Sequence, residues 1–222
     1  MSTIPSPKNR VVAYIDGFNV YHAIANNLPE KYKWLNYRKF VENFLWPDDI
    51  LQDIFFFTAP PRWDKERLMR HNNYLDILKK WLWIKIISWN YTSVERKFHA
   101  DKMPVISPKD AIVSPRRFSY GTYEEKQTDV NLALAIFEGW ILDLYDKALI
   151  FSGDSDIAPA IHRVKKHKKD KHFTCVLPYL WRARVMMATC DTYVKTDILT
   201  LESSLLEETI NVHGRIIINP YK

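Results

Sequence analysis

The chain holds only two cysteines in 222 residues, Cys175 and Cys190, and they form no CxxC pair. This excludes a disulfide scaffold and the common zinc ribbons, and it leaves the expectation of reduced thiols in a cytoplasmic protein. Glycine is scarce, five residues in all, so each one is a candidate for a turn that requires it. Neither GxxxxGK[ST] nor GxGxxG occurs, which disfavours P-loop and dinucleotide-type phosphate cradles. HExxH and GxSxG are missing too, removing common zinc-hydrolase and serine-hydrolase signatures. No apolar run approaches the ~20 residues of a membrane span. The stretch from Met1 to Arg10 is polar, with prolines at 5 and 7, and lacks the apolar centre of a signal peptide. A soluble protein without a membrane partner is expected.

What is present is apolar, aromatic and basic. Hydrophobic residues make up 47% of the chain, enough for a large core and too many for a disordered chain. Eight Trp, twelve Tyr and eleven Phe are unusually many; most should be core, and any surplus on the surface would suit stacking on bases. The net charge of +6 favours polyanionic partners such as nucleic acid, though weakly.

Short apolar runs alternate with helical patterns. Val11 to Ile15, Ile50 to Ala59, Trp83 to Ser88, Leu149 to Phe151 and Phe173 to Leu177 read as strands buried on both faces. Helical spacing lies between them at 20–26, 36–46, 63–81, 129–145, 156–167 and 182–189. Asp129 to Tyr145 is apolar nearly all round, so that helix is expected to be largely buried. This alternation predicts an α/β fold in three layers, α/β/α, around a mostly parallel central sheet. Residues 90–123 break the pattern with three prolines (Pro104, Pro108, Pro115); they read as an inserted loop or hairpin, with short strands at 103–106 and 111–113. Asp191 to Val194 reads as a last short strand, Leu199 to Glu208 as helical and Arg215 to Ile218 as an edge strand.

Carboxylates fall where such a sheet presents chemistry. Ligands of open α/β sheets sit at the carboxyl ends of parallel strands. Asp16 follows the first apolar strand, and Asp154 and Asp156 follow Leu149–Phe151 in the turn Ser152-Gly153-Asp154-Ser155-Asp156. Asp129 stands at the start of a helix, whose amino end can face the same edge. Each has a plainer reading: helix caps for Asp129, Asp154 and Asp156, an ordinary turn for Asp16-Gly17, and a cap at Val20 for Asn19. Together, several carboxylates within a few Å repel one another unless a cation is present. Mg²⁺ takes oxygen ligands from a few carboxylates, waters and a substrate phosphate, and activates water for attack on phosphorus. The chemistry implied is phosphodiester hydrolysis. A haloacid-dehalogenase-like phosphatase would want a second acid two positions after Asp16, where Phe18 stands.

The blocks Tyr14-Ile15-Asp16-Gly17-Phe18-Asn19-Val20-Tyr21, Lys126-Gln127-Thr128-Asp129-Val130-Asn131-Leu132-Ala133 and Phe151-Ser152-Gly153-Asp154-Ser155-Asp156-Ile157 resemble, in this order, the signatures of NYN domains, PIN-like nucleases that include the LabA-like proteins. The resemblance covers roughly residues 10 to 200 and implies a PIN-like fold with Mg²⁺- or Mn²⁺-dependent ribonuclease activity. It implies that Asp16, Asp129, Asp154 and Asp156 are the catalytic, metal-binding acids, with Asn19 and Ser152 as supporting polar residues. Gln127-Thr128 departs from the Gly and β-branched residue that many members carry there, and the insertion leaves substrate choice open. The chain is expected to form one domain, with residues 201–222 as a C-terminal extension.

Basic residues suggest where RNA, single-stranded or structured, would lie. Lys126, three positions before Asp129, is expected closest to the metal. Arg116 and Arg117 stand with Phe118 and Tyr120 in the insertion. Lys165 and Lys166 belong to the dense basic run from Arg163 to His172, whose alternative is a solvated helix end suited to the helix dipole. Arg182 and Arg184 follow a strand's carboxyl end. The leading expectation is a metal-dependent endoribonuclease. The alternatives are a non-catalytic RNA-binding or regulatory module that keeps the site, and a DNA 5′-nuclease or phosphatase using the same chemistry. A homodimer stays open as the assembly.

Overall fold

Alternate side chains of a strand point to opposite faces, so an unbroken apolar run can be buried only between two layers. The computed structural model shows this for β1 (Asn9–Asp16), whose residues Val11 to Ile15 are all fully buried. Val11, Ala13 and Ile15 enter one core, while Val12 and Tyr14 enter the other. The model describes residues 9–89, 91–99, 111–114, 117–125, 127–167 and 170–221, with the backbone alone at 91–99, 111–114 and 117–125.

Among the described residues six strands form one sheet in the order β3-β2-β1-β7-β8-β9, every pair parallel. The strands besides β1 are β2 (Asp49–Thr58), β3 (Lys85–Ser88), β7 (Lys147–Phe151), β8 (His172–Leu177) and β9 (Thr192–Lys195). One layer over the sheet is built by α1 (Gly17–Asn27), α2 (Tyr37–Glu42), α3 (Lys65–Asp76) with the π-helical turn Ile77–Trp81, and α7 (Ile198–Ser203). It buries Val20, Ile24, Phe40, Ile77 and Leu201. The other layer is α4 (Thr128–Ile141), α5 (Ala158–His167) and α6 (Arg184–Thr189), which bury Leu132, Ile136, Ile161, Val164 and Met186. The expected three-layer α/β/α fold with a mostly parallel sheet is what the chain forms.

The chain runs outward from β1 to β3, then returns across the sheet to β7 and runs outward to β9. The order therefore reverses between β1 and β7, the switch point at which open α/β sheets carry their ligand crevice, outside the strands' carboxyl ends. Because α4 descends to the start of β7, its amino end stands at that same carboxyl edge.

Several expectations change. The insertion forms an antiparallel sheet of β4 (Tyr91–His99), β5 (Ala111–Ser114) and β6 (Arg117–Glu125), in the order β4-β6-β5; the strand expected at 103–106 lies outside the described residues. Arg215 to Ile218 is β11, which pairs with β10 (Thr209–Val212) as a separate hairpin and not as an edge of the main sheet. Its Ile210, Val212 and Ile217 pack into the first core. The helix expected over 199–208 stops at Ser203. α4 is not largely buried: Val130, Leu134 and Ile141 are each more than half exposed. A helix lying on one face of a sheet has only one covered side, whatever its composition.

Candidate functional site

β1 ends at Asp16, and the chain turns at once into α1. Gly17 permits the turn, since a Cβ there would lie 2.5 Å from the Phe56 ring and 2.7 Å from the Phe57 carbonyl oxygen. The Asp16 carboxylate itself caps α1: Oδ1 accepts from the N–H groups of Phe18 at 3.1 Å and Asn19 at 3.0 Å. Asn19, read as a capping candidate, instead accepts the Gly153 N–H at 3.1 Å through Oδ1. Asp16 Oδ2 accepts from the Ser152 hydroxyl at 3.0 Å. Ser152 Oγ in turn accepts the Asp154 N–H at 3.1 Å, and Asp154 Oδ1 accepts the Asp156 N–H at 2.9 Å. The ends of β1 and β7 are thus stapled twice across the switch point. Asp16, Asn19 and Ser152 are all buried, and satisfied buried polar networks of this kind hold one geometry.

Asp129 occupies the first turn of α4 and is partly buried. The residue before that helix, Gln127, has a φ of 78° and gives it no side-chain cap. Neighbouring Thr128 is buried with its hydroxyl unpartnered. Buried polar atoms almost always find a partner, so this hydroxyl marks a place for a polar ligand or water.

Charge links the acids. Burial is the main cause that lifts the Asp16 carboxyl to about 6; hydrogen bonds from Asn19 and Ser152 oppose it, and the charges of Asp129 and Asp154 add to it. Asp129 is raised first by burial, then by the charges of Asp154 and Asp156. The charged neighbours acting on these two groups are other aspartates. Among the described residues, however, no three His, Cys, Asp or Glu side chains form a group that could hold a metal ion by themselves. The donor set still suits a hard cation, which takes oxygen ligands and retains water. Such a cation would relieve the mutual repulsion that adds to burial in raising Asp16 and Asp129.

The basic candidates scatter. α5 descends from the carboxyl edge to the start of β8, so its last turn, with Lys165 and Lys166, lies at the opposite edge of the sheet. There Lys165 pairs with Asp191 at 2.6 Å and bonds the Thr189 carbonyl at 3.0 Å, whereas Lys166 is exposed. Arg182 and Arg184 follow β8 at the carboxyl edge and are exposed. Lys126 and Arg116 lie outside the described residues; Arg117 is placed only by register, opposite His99 and Ser114. A surface cavity of about 370 Å³ runs along α3, but its one carboxylate, Asp76, is ion-paired to Lys80 and Arg215.

Sequence reasoning passed over Trp181, which packs against Gly153. Its signal was a pair of aromatics, Tyr179 and Trp181, between a strand's carboxyl end and two arginines. Among the described residues no helix is long and apolar enough to cross a membrane.

Comparison with known proteins places this edge in context. The model of the NYN domain family matches residues 10–200, a span that includes all four aspartates. A curated relative from Pseudomonas putida, named 6-hydroxy-3-succinoylpyridine 3-monooxygenase, is 28% identical over 182 residues, covering 71% of this chain and 56% of its own length. The chain thus spans about half the length of that relative. A crystal structure of a protein of unknown function from Vibrio parahaemolyticus superposes with a TM-score of 0.53 at 15% identity, covering 92% of this chain and all of the other. That likeness concerns the fold alone.

Proposed function

Because the chain belongs to the NYN domain family, whose members are PIN-like nucleases, we propose that it is a metal-dependent endoribonuclease acting at the switch-point crevice. The observation that carries this reading is the buried bond between Ser152 and Asp16. It joins two carboxylate-bearing strand ends 136 positions apart, in a place where burial and like charge make ionisation costly. A fold that keeps such an arrangement stores electrostatic stress that a bound cation relieves.

Asp16, Asp129, Asp154 and Asp156 would hold Mg²⁺ or Mn²⁺, directly or through water. When bound, the cation neutralises charge on the phosphodiester and lowers the pKa of a water nucleophile. The chain's own residues supply the rest. Asn19 and Ser152 lock the two turns together, so the carboxylates are pre-positioned. The amino end of α4, without a side-chain cap, presents N–H groups and the positive end of its dipole beside Asp129, which suits a phosphate oxygen.

The test is cleavage of labelled single-stranded and structured RNA, with Mn²⁺ or with EDTA. Asp16→Asn and Asp154→Asn are each expected to abolish metal-dependent cleavage while leaving a cooperative unfolding transition. Undiminished cleavage by the double variant sinks the mechanism. Metal-independent binding without cleavage of any substrate supports a non-catalytic module instead, and a DNA strand in the same assay tests a deoxyribonuclease. The name of the Pseudomonas relative raises a second activity. Dioxygen uptake with 6-hydroxy-3-succinoylpyridine and a reductant measures it, and no uptake is expected.

A further inference from the structure

Beyond β8 the chain makes a tight turn in which the Trp181 N–H donates to the Pro178 carbonyl at 3.0 Å. Leu180, at the third position of that turn, has a φ of 60°. In this region a side chain's Cβ crowds the carbonyl oxygen that follows, so the conformation is costly for any residue but glycine. Leu180 is 68% exposed, so its own burial offsets little of that cost. What the strained turn achieves is the placement of Trp181. A Cβ on Gly153 would lie 2.5 Å from the indole Cε3 and 3.1 Å from Cζ3. Glycine alone lets the ring approach so closely. Gly153 is the middle of the carboxylate turn, between Ser152 and Asp154, and its N–H is held by Asn19. The indole therefore borders the acidic crevice, and it is only partly buried.

Its neighbours are cationic. Arg182 and Arg184 are exposed, and among the described residues neither has an ion-pair or hydrogen-bond partner. Aromatic rings flanked by cations are how proteins hold single-stranded nucleic acid: bases stack on the ring and phosphates follow the charge.

We propose that Trp181 is a stacking ledge for a base of single-stranded RNA, with Arg182 and Arg184 on the adjoining phosphates, so that the strand is set across the carboxylate turn. The identity of the strand rests on the nuclease reading above; the ledge itself rests on the Trp181–Gly153 contact. It makes Trp181 a positioning residue whose loss weakens binding and raises KM more than it lowers kcat.

The experiment measures anisotropy of fluorescein-labelled oligouridylate and of an abasic ribose-phosphate strand of equal length. The proteins are the full chain and its Trp181→Ala, Trp181→Phe and Arg182→Ala/Arg184→Ala variants. Trp181→Ala should weaken oligouridylate binding about tenfold and leave the abasic strand unaffected. Trp181→Phe should restore most of the loss, and the arginine variant should weaken both strands. Gly153→Ala, which must displace the ring, should copy Trp181→Ala. Equal weakening of both strands by Trp181→Ala, no weakening of either, or no binding by the unaltered chain overturns the ledge. Circular dichroism guards against misfolding, and if Trp181→Ala fails to fold, Gly153→Ala decides by the same comparison of the two strands. Cleavage is read separately. Base-dependent binding without hydrolysis keeps the ledge and removes the nuclease, whereas hydrolysis with KM unmoved by Trp181→Ala does the reverse.

Discussion

His71, within α3, is an imidazole held in the wrong medium for a charge. Its Nε2 is buried and has no hydrogen-bond partner, and burial pushes its pKa down to about 4. In the unfolded chain the group titrates near 6.5. Below that value the unfolded chain takes up a proton that the folded chain refuses, so folding stability falls as pH drops from about 6.5 to about 4 and then levels off with respect to this group. The loss is at most about 3 kcal/mol. Urea midpoints measured across that interval should decline, and His71→Leu should flatten the decline. An equal slope in the variant would assign the acid sensitivity elsewhere. Nothing in the sequence distinguished His71 from the other six histidines, because burial of one helix position depends on which side the tertiary layer covers. Asp16 differs in this respect. A carboxylate directly after an all-apolar strand and before glycine has few places to go, and the residue types alone put it at a sheet edge.

At the scale of the element, α4 divides into two sides. Leu132 and Ile136 are fully buried, while Leu134 is 59% exposed. Ile136→Ala should cost about 2–5 kcal/mol through lost contacts and a cavity, whereas Leu134→Lys should change stability by less than about 0.5 kcal/mol. Thermal denaturation of the two variants separates them, and a large effect of Leu134→Lys would mean that the outer side is covered in solution. This division was not legible beforehand, since Val130, Leu134 and Ile141 are as apolar as their buried neighbours. The strands of the central sheet were legible for the opposite reason: β1 and β7 are apolar at every interior position, a pattern that only two-sided burial explains. β4 and β6 escaped notice because polar and charged residues such as Glu95, Arg96, Glu124 and Glu125 leave no period-two apolar face. The destination of the basic run could have been deduced, because a helix that links parallel strands must end at the edge opposite the one where it begins.

The whole molecule places its insertion deliberately. β3 ends at Ser88 on the carboxyl edge, and α4 starts at Thr128 on that same edge, so the sheet of β4, β5 and β6 leaves from the crevice side and returns to it. Replacing residues 91–125 with a short Gly-Ser linker should shift the unfolding temperature by less than about 4 °C, the equivalent of about 1 kcal/mol for a chain of this size. On the proposed nuclease reading, RNA affinity and choice of cleavage position should change in the same protein. A drop well beyond that range would show that the inserted sheet supports the core.

The bond between Ser152 and Asp16 spans 136 positions of sequence, and that distance is also an interval of time. A ribosome adds about 5–20 residues per second, so Asp16 emerges on the order of ten seconds before its partner is made. Contacts this remote in sequence form late and slowly, after the entropy of closing the loop between them has been met. On the nascent chain the first half of the crevice is a lone aspartate at the end of a strand that can pair with β2 but still lacks β7 on its other side. The acidic centre comes into being only once β7 has been made and docks beside β1.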